Sequence, residues 1–198
     1  MALDLCTLPD LKGYLEGMSN VDKYDVLLSS LITMTSKRFE SYCGRVWDNN
    51  GGNDITEYFD GGGKSFVIVK RIPVASVTSL HDDTARAYGA DTLINTTEYV
   101  IYNDDGLIEL DDGGYFADGR KNVKVVYKGG YTATTIPEDL KLACIMEAAK
   151  TFEMRKRLGV ESQSNQGGSV VIATTPVGPT QLLPEVRAIL NIYRSYRQ

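Results

Sequence analysis

The stretch whose residue types come nearest to a reactive site is Gly61-Gly62-Gly63-Lys64-Ser65. A lysine and a serine behind glycines resemble the end of a phosphate-binding loop, in which bare backbone N–H groups wrap the phosphates at the start of a helix. Such a loop needs a glycine five positions before its second glycine, and here that position is Tyr58. The following residues, Phe66-Val67-Ile68-Val69, are a β-branched and aromatic run that favours a strand, so no positive helix end faces an anion. The spacing predicts a hairpin, with Ile55–Phe59 and Ser65–Arg71 as its arms and the glycines as its turn.

Other chemistry-bearing residues are scattered. His81 follows Ser79 and precedes Asp82 and Asp83, but neighbours in an extended chain point to alternate faces, which excludes a local catalytic triad. Asn103-Asp104-Asp105-Gly106 and Asp111-Asp112-Gly113-Gly114 lack the alternating ligands and distal glutamate of a calcium loop and read as hairpin turns. Cys6, Cys43 and Cys144 form no CxxC pair and His81 is the sole histidine, so neither a metal site nor a disulfide framework nor any cofactor is indicated. Cys144, among apolar helix positions, reads as a small buried hydrophobe.

A chain of 198 residues, 42% hydrophobic and 24% charged, suits one globular domain or a domain with an insertion. No apolar run approaches the ~20 residues that span a bilayer, and residues 1–20 lack the charged and apolar regions of a signal peptide. A soluble protein that stays where it is made, without a membrane partner, is expected. The net charge of −5 divides into −5 for residues 1–60, −2 for 61–135 and +2 for 136–198. The only basic cluster, Arg155-Lys156-Arg157, sits where a helix should end and can complement its dipole. Two alternative functions stay open on these residues: a nucleotide-binding enzyme using Lys64 and Ser65, and a DNA-binding accessory protein using Arg155, Lys156 and Arg157.

The elements that must position these residues follow from periodicity. Thr7 caps a short helix with an early Pro9 that stops near Gly17. A longer helix of about 23 residues, roughly 35 Å, runs from Val21 to near Gly44 with Val21, Tyr24, Leu28, Leu31, Ile32, Phe39 and Tyr42 on one face and Ser36 and Glu40 off it. From Asn49 to Tyr131 the period is two, with strands at Ile55–Phe59, Ser65–Arg71, Val74–Leu80, Glu98–Tyr102, Leu107–Leu110 and Val123–Tyr127. Thr135 and Glu138 have capping-box spacing ahead of a helix with the stripe Leu140, Ala143, Cys144, Ala148 and Phe152, expected to lie against the long N-terminal helix. Residues 159–181 read as a loose linker around the apolar run Val170-Val171-Ile172, and a last helix from Pro184 shows Val186, Ile189, Leu190 and Tyr193 on one face.

The fold expected is α+β: N- and C-terminal helices packed as a helical core, an inserted antiparallel β region and a C-terminal arm. Its divisions fall at 1–48, 49–131, 132–158 and 159–198. An arm of this kind can fold on its own core or dock on a neighbouring chain.

The order of these signals resembles the head-tail connector (adaptor) proteins of long-tailed bacteriophages. The resemblance is carried by "KRFESYCGRVW" at 37–47, "RIPVASVTSL" at 71–80, "VVYKGGYTATTIPEDLKLACIMEAAKTFEMR" at 125–155 and "LPEVRAILNIYRSY" at 183–196. It implies a structural virion protein, not an enzyme, that forms a ring of itself, commonly a dodecamer, beneath the portal protein. The ring continues the DNA channel toward the stopper and tail, at the virion neck, after assembly in the host cytoplasm. An acidic lumen would repel DNA phosphates and let the genome slide. The residues expected at a partner or subunit interface are Val170, Val171, Ile172, Leu182, Leu183, Ile189, Tyr193, Tyr196, Arg155 and Arg157.

Overall fold

The computed structural model describes residues 3–155 and 181–194. The chain divides into two compact units, one built mainly from residues 43–135 and the other from residues 4–42 with 136–193. Val170, Val171, Ile172, Tyr196 and Arg157 lie outside the described residues.

The helical unit contains α1 (Leu8–Tyr14), most of α2 (Asp25–Cys43), α3 (Glu138–Met154) and α4 (Pro184–Ile192). Thr7 caps α1 in a full capping box: its hydroxyl accepts the Asp10 N–H, and the Asp10 carboxylate accepts the Thr7 N–H at 3.0 Å. The long helix begins four residues later than its periodicity predicts. The buried Lys12 ammonium draws in the carboxylates of Asp22 (3.1 Å) and Asp25 (2.9 Å), so residues 22–25 form a turn before the helix proper. Its 19 residues make a rod of about 28 Å.

Leu28, Leu31, Ile32, Thr35 and Phe39 of α2 are buried as their spacing predicts, but Ser36 and Glu40, expected off that face, are buried too. Each is satisfied locally. The Ser36 hydroxyl donates to the Ile32 carbonyl (2.9 Å) and accepts the Leu5 N–H (3.0 Å), and Glu40 accepts from Lys37 at 2.6 Å.

Leu140, Ala143, Cys144, Ala148 and Phe152 of α3 are all buried, the Cys6 and Cys144 sulfurs lying 3.6 Å apart as free thiols. Tyr24 meets Phe152 edge-on with ring centres 5.4 Å apart, which joins the start of the α2 segment to α3. The expected Thr135 cap is not formed. Pro137 occupies the N-cap position, and the Thr135 hydroxyl instead accepts the Thr132 N–H at 2.9 Å.

The β unit holds seven strands: β1 (Ile55–Phe59), β2 (Phe66–Ile68), β3 (Val74–Asp82), β4 (Leu93–Ile94), β5 (Tyr99–Tyr102), β6 (Leu107–Leu110) and β7 (Val123–Gly129). They form two antiparallel sheets, β1-β7-β3-β4 and β2-β6-β5. Strand β7 is central to the first; its burial alternates from Val123 through Val125 and Tyr127, the period expected of a strand with one face on a core. Residues of both sheets, among them Ile55, Val67, Leu80, Ile108 and Val125, share one hydrophobic core with Ile72 and Phe116 from the connecting loops.

The predicted hairpin between 55–59 and 65–71 is not formed. Ile55 pairs with Tyr127 and Phe59 with Val123, whereas Phe66 pairs with Glu109 in the other sheet. The glycines still make a turn: Gly62 and Gly63 have φ of 55° and 67°, and the Lys64 N–H closes on the Gly61 carbonyl at 3.1 Å. That turn moves the chain between sheets. Asn103–Gly106 does join a hairpin, β5 to β6, but Asp111–Gly114 only turns the chain out of its sheet.

Candidate assembly interface

Three of the sequence blocks that carry the resemblance converge within the β unit. Trp47 is fully buried, its ring centre 6.4 Å from that of Tyr131. The Trp47 carbonyl accepts the Tyr131 N–H at 2.6 Å, and the Asn49 N–H donates to the Tyr131 carbonyl at 3.1 Å. Arg71 donates to the Asp48 carbonyl at 2.9 Å and stands 3.8 Å from its carboxylate. Gly130 donates to the Pro73 carbonyl at 2.9 Å, and a Cβ there would meet the carbonyls of Trp47 and Asp48 at 2.9 Å. These motifs are the clasp that ties the residues after α2 to both ends of the β region, and their chemistry is backbone pairing.

The glycine loop is committed in the same way. Gly61 N–H donates to the Asn122 side-chain oxygen at 2.9 Å, and a Cβ on Gly61 would lie 2.1 Å from the Ala117 carbonyl. Asn122 in turn donates to Asp82 and to the Ala117 carbonyl, both at 2.8 Å. With Gly61 spent on Asn122 and a strand behind the loop, the phosphate-cradle arrangement is not built. His81 stands beside Thr92, 3.4 Å from its hydroxyl, and edge-on to the Tyr88 ring, while Asp83 accepts the N–H groups of Ala85, Ala87 and Tyr88. These backbone donors, Tyr88 foremost, hold the Asp83 carboxyl below the usual carboxylate range. Each of these residues has a structural partner.

Burial acts on several further groups. It raises Glu57, whose carboxylate accepts from the Tyr127 hydroxyl at 2.9 Å and the Lys70 N–H at 3.2 Å. It pushes the Cys43 thiol up to about 12. The Cys6 thiol is also raised, first by its hydrogen bond to Cys144 and then by burial.

The expected interface residues that are described fall in the helical unit, where they are engaged internally. Leu182 is buried, and Leu183 and Ile189 are half-buried where α4 packs on α3. The half-buried Tyr193 donates to Asp139 at 2.6 Å, and Tyr42 donates to Asn191 at 2.8 Å. The Arg155 guanidinium lies 3.3 Å from the Phe152 ring centre and 4.8 Å from that of Tyr24, a cation held over two aromatic rings. The organising residue is Glu147, which periodicity does not single out. This buried carboxylate accepts from Arg38 (3.0 Å), Lys150 (3.2 Å) and the Leu183 N–H (3.1 Å), and Lys150 also donates to the Gln181 carbonyl. An acid three residues before a lysine on α3 is the only signal the sequence carries for it.

The sequence pattern of head completion proteins matches residues 4–196. The chain belongs to the head completion protein family. Its role is that of a structural head-tail connector of a phage-like virion. No curated protein sequence matches the chain.

Among solved structures, the neck of an empty GTA particle, computed with C6 symmetry, contains a similar chain. It has a TM-score of 0.59 and 17% identity, covering 98% of this chain and 91% of that one. The neck of the native GTA particle, computed with C12 symmetry, contains a chain with a TM-score of 0.55 and 18% identity, covering 100% of this chain and 94% of the other. A chain in the virion of the native gene transfer agent particle gives 0.57 and 16% identity, covering 100% and 94%. At these identities the likeness is one of fold, and it covers 98–100% of this chain.

Proposed function

We propose that the protein assembles as a ring at the virion neck, beneath the portal, and joins the head to the stopper and tail around a channel for DNA. The observation that carries this reading is the family match over 4–196, supported by a similar fold in chains from GTA necks computed with C6 and C12 symmetry. On this reading the protein is not an enzyme, and its functional surfaces are those that meet other subunits. The net charge of −5 supports a conduit that DNA phosphates slide past. The apolar run Val170-Val171-Ile172 is kept, on composition, as a segment that reaches the portal or an adjacent subunit.

The test is negative-stain microscopy of the protein mixed with its portal. An additional ring below the portal is the expected result; no binding to the portal or to any neck component overturns the proposal.

A further inference from the structure

The helical unit exposes two apolar surfaces. On α2, opposite the buried face of Leu28, Ile32 and Phe39, Val26 is 84% exposed, Met34 57% and Leu27 40%, with Ser30 between them. At 100° per residue, positions 26, 27, 30 and 34 fall within one third of the helix circumference and form a convex ridge. The second surface is a groove of about 520 Å³ between α1 and α3. Tyr14 (53% exposed) and Leu142 (45%) stand in it beside the buried Ile145. The ridge, and the Tyr14, Leu142 and Ile145 part of the groove, which Asp10, Glu138 and Lys141 flank, are costly to leave in water, and each has the shape the other lacks.

The charges complement as well. Lys23, just before the ridge, makes no ion pair among the described residues; its ammonium lies over the Tyr24 ring at 5.5 Å. Glu138, on the groove, likewise makes no ion pair among the described residues. Of the other charges nearby, Lys37 pairs with Glu40 at 2.6 Å, Lys141 with Asp10 at 3.3 Å, and Asp22 and Asp25, on either side of Lys23, share the Lys12 ammonium at 3.1 and 2.9 Å, while the Asp4 carboxylate accepts from the neutral Thr33 hydroxyl at 3.2 Å. Pairing ridge with ridge would set Lys23 against the Lys23 of a parallel copy or the Lys37 of an antiparallel one, whereas ridge against groove sets Lys23 against Glu138.

We propose that the α2 ridge of one copy docks in the α1/α3 groove of the next, head to tail, with Lys23 facing Glu138 across the contact. A contact between two different patches leaves each copy with one free ridge and one free groove, so it propagates and closes where the rotation permits, as a ring requires. The inference rests on the ring reading and specifies the surface that builds it.

The test uses the full chain with Val26→Glu and, separately, Leu142→Glu, followed by sedimentation velocity and native mass spectrometry over a wide concentration range, with and without portal. Each substitution should leave the melting temperature unchanged and weaken self-association by about tenfold or more, as expected for removing a central apolar anchor. Mixed together, the two variants retain one intact ridge and one intact groove and should stop at heterodimers. Lys23→Glu should weaken assembly, and mixing it with Glu138→Lys should restore the contact between the exchanged charges; this pair decides the matter should either glutamate variant melt early.

Wild-type assembly with both glutamate variants assembling equally well overturns this interface and leaves the ring intact. Loss with Val26→Glu alone indicates ridge-to-ridge pairing or a different protein on α2, and also overturns it. A wild-type chain that stays monomeric with and without portal removes the ring reading and this inference with it.

Discussion

Removing the Glu147 carboxylate should loosen α4 from α3 and destabilise the helical unit. Glu147→Ala takes the acceptor from Arg38, Lys150 and the Leu183 N–H at once. Deleting one partner of a buried ion pair typically costs about 3–5 kcal/mol, because the opposite charge is stranded. Here the loss is softened, since Lys150 keeps the Gln181 carbonyl and the Arg38 and Lys150 side chains are 31% and 11% exposed. The expected loss is therefore at the lower end, about 3 kcal/mol, from a total stability on the order of 5–15 kcal/mol. For a chain of this size that is roughly 6–12 °C in melting temperature.

Calorimetry and denaturant titration measure the loss, and hydrogen exchange locates it. The amides of 184–192 should exchange faster, because the Gln181 carbonyl and Leu183 N–H that set the start of α4 depend on Lys150 and Glu147. Glu147→Gln, which keeps an oxygen for the Leu183 N–H, should cost less. Replacing Arg38, Glu147 and Lys150 together by Met, Leu and Met should recover most of the loss, since an apolar cluster strands no charge. A Glu147→Ala protein within about 0.5 kcal/mol of wild type, with unchanged exchange at 184–192, refutes this account of α4 docking.

Gly61→Ala should cost about 1–3 kcal/mol or more from overpacking, since its Cβ would meet the Ala117 carbonyl at 2.1 Å, whereas Gly63→Asn, in open space at φ 67°, should cost far less; urea titration separates them. Cys43, raised to about 12, and Cys6, raised above its ordinary 9.0, should be alkylated by iodoacetamide at neutral pH only as fast as the protein opens; rapid labelling of the native chain contradicts their burial. Glu57 is raised above its ordinary 4.5, so the folded state holds its proton more tightly than the unfolded one. Stability from this group is therefore greatest at acid pH and falls as pH climbs from 4.5 through the raised folded value. Glu57→Gln should flatten that decline in denaturant midpoints measured from acidic to neutral pH, and an unchanged profile discounts the burial of Glu57.

Element types were legible because they depend on local chemistry. The cap at Thr7, the Leu140 to Phe152 stripe, the Leu107–Leu110 strand and the turn at 61–64 each rest on residues a few positions apart, whereas the capping-box spacing of Thr135 and Glu138 was overridden by Pro137 at the N-cap position. The family was legible in the order of those elements. Illegible were the features set by partners distant in sequence. β1 pairs with β7, far along the chain, rather than with the adjacent β2, a choice that no local spacing encodes. The two-residue β4 is too short to show a period. Ser36, Glu40 and Glu147 read as solvent-facing by type, and only the packed neighbours that satisfy their oxygens make their burial affordable.

The sequence by itself therefore determined the α+β class and most helix and strand spans, because periodicity, caps and turn residues act within a few positions, and the order of its blocks carried the resemblance to head-tail connectors. Tertiary structure alone decided the strand order, the clasp of Trp47, Arg71 and Tyr131, and the engagement of α4 through Glu147. Those depend on which buried donor finds which acceptor, and that is settled only when distant segments share one core.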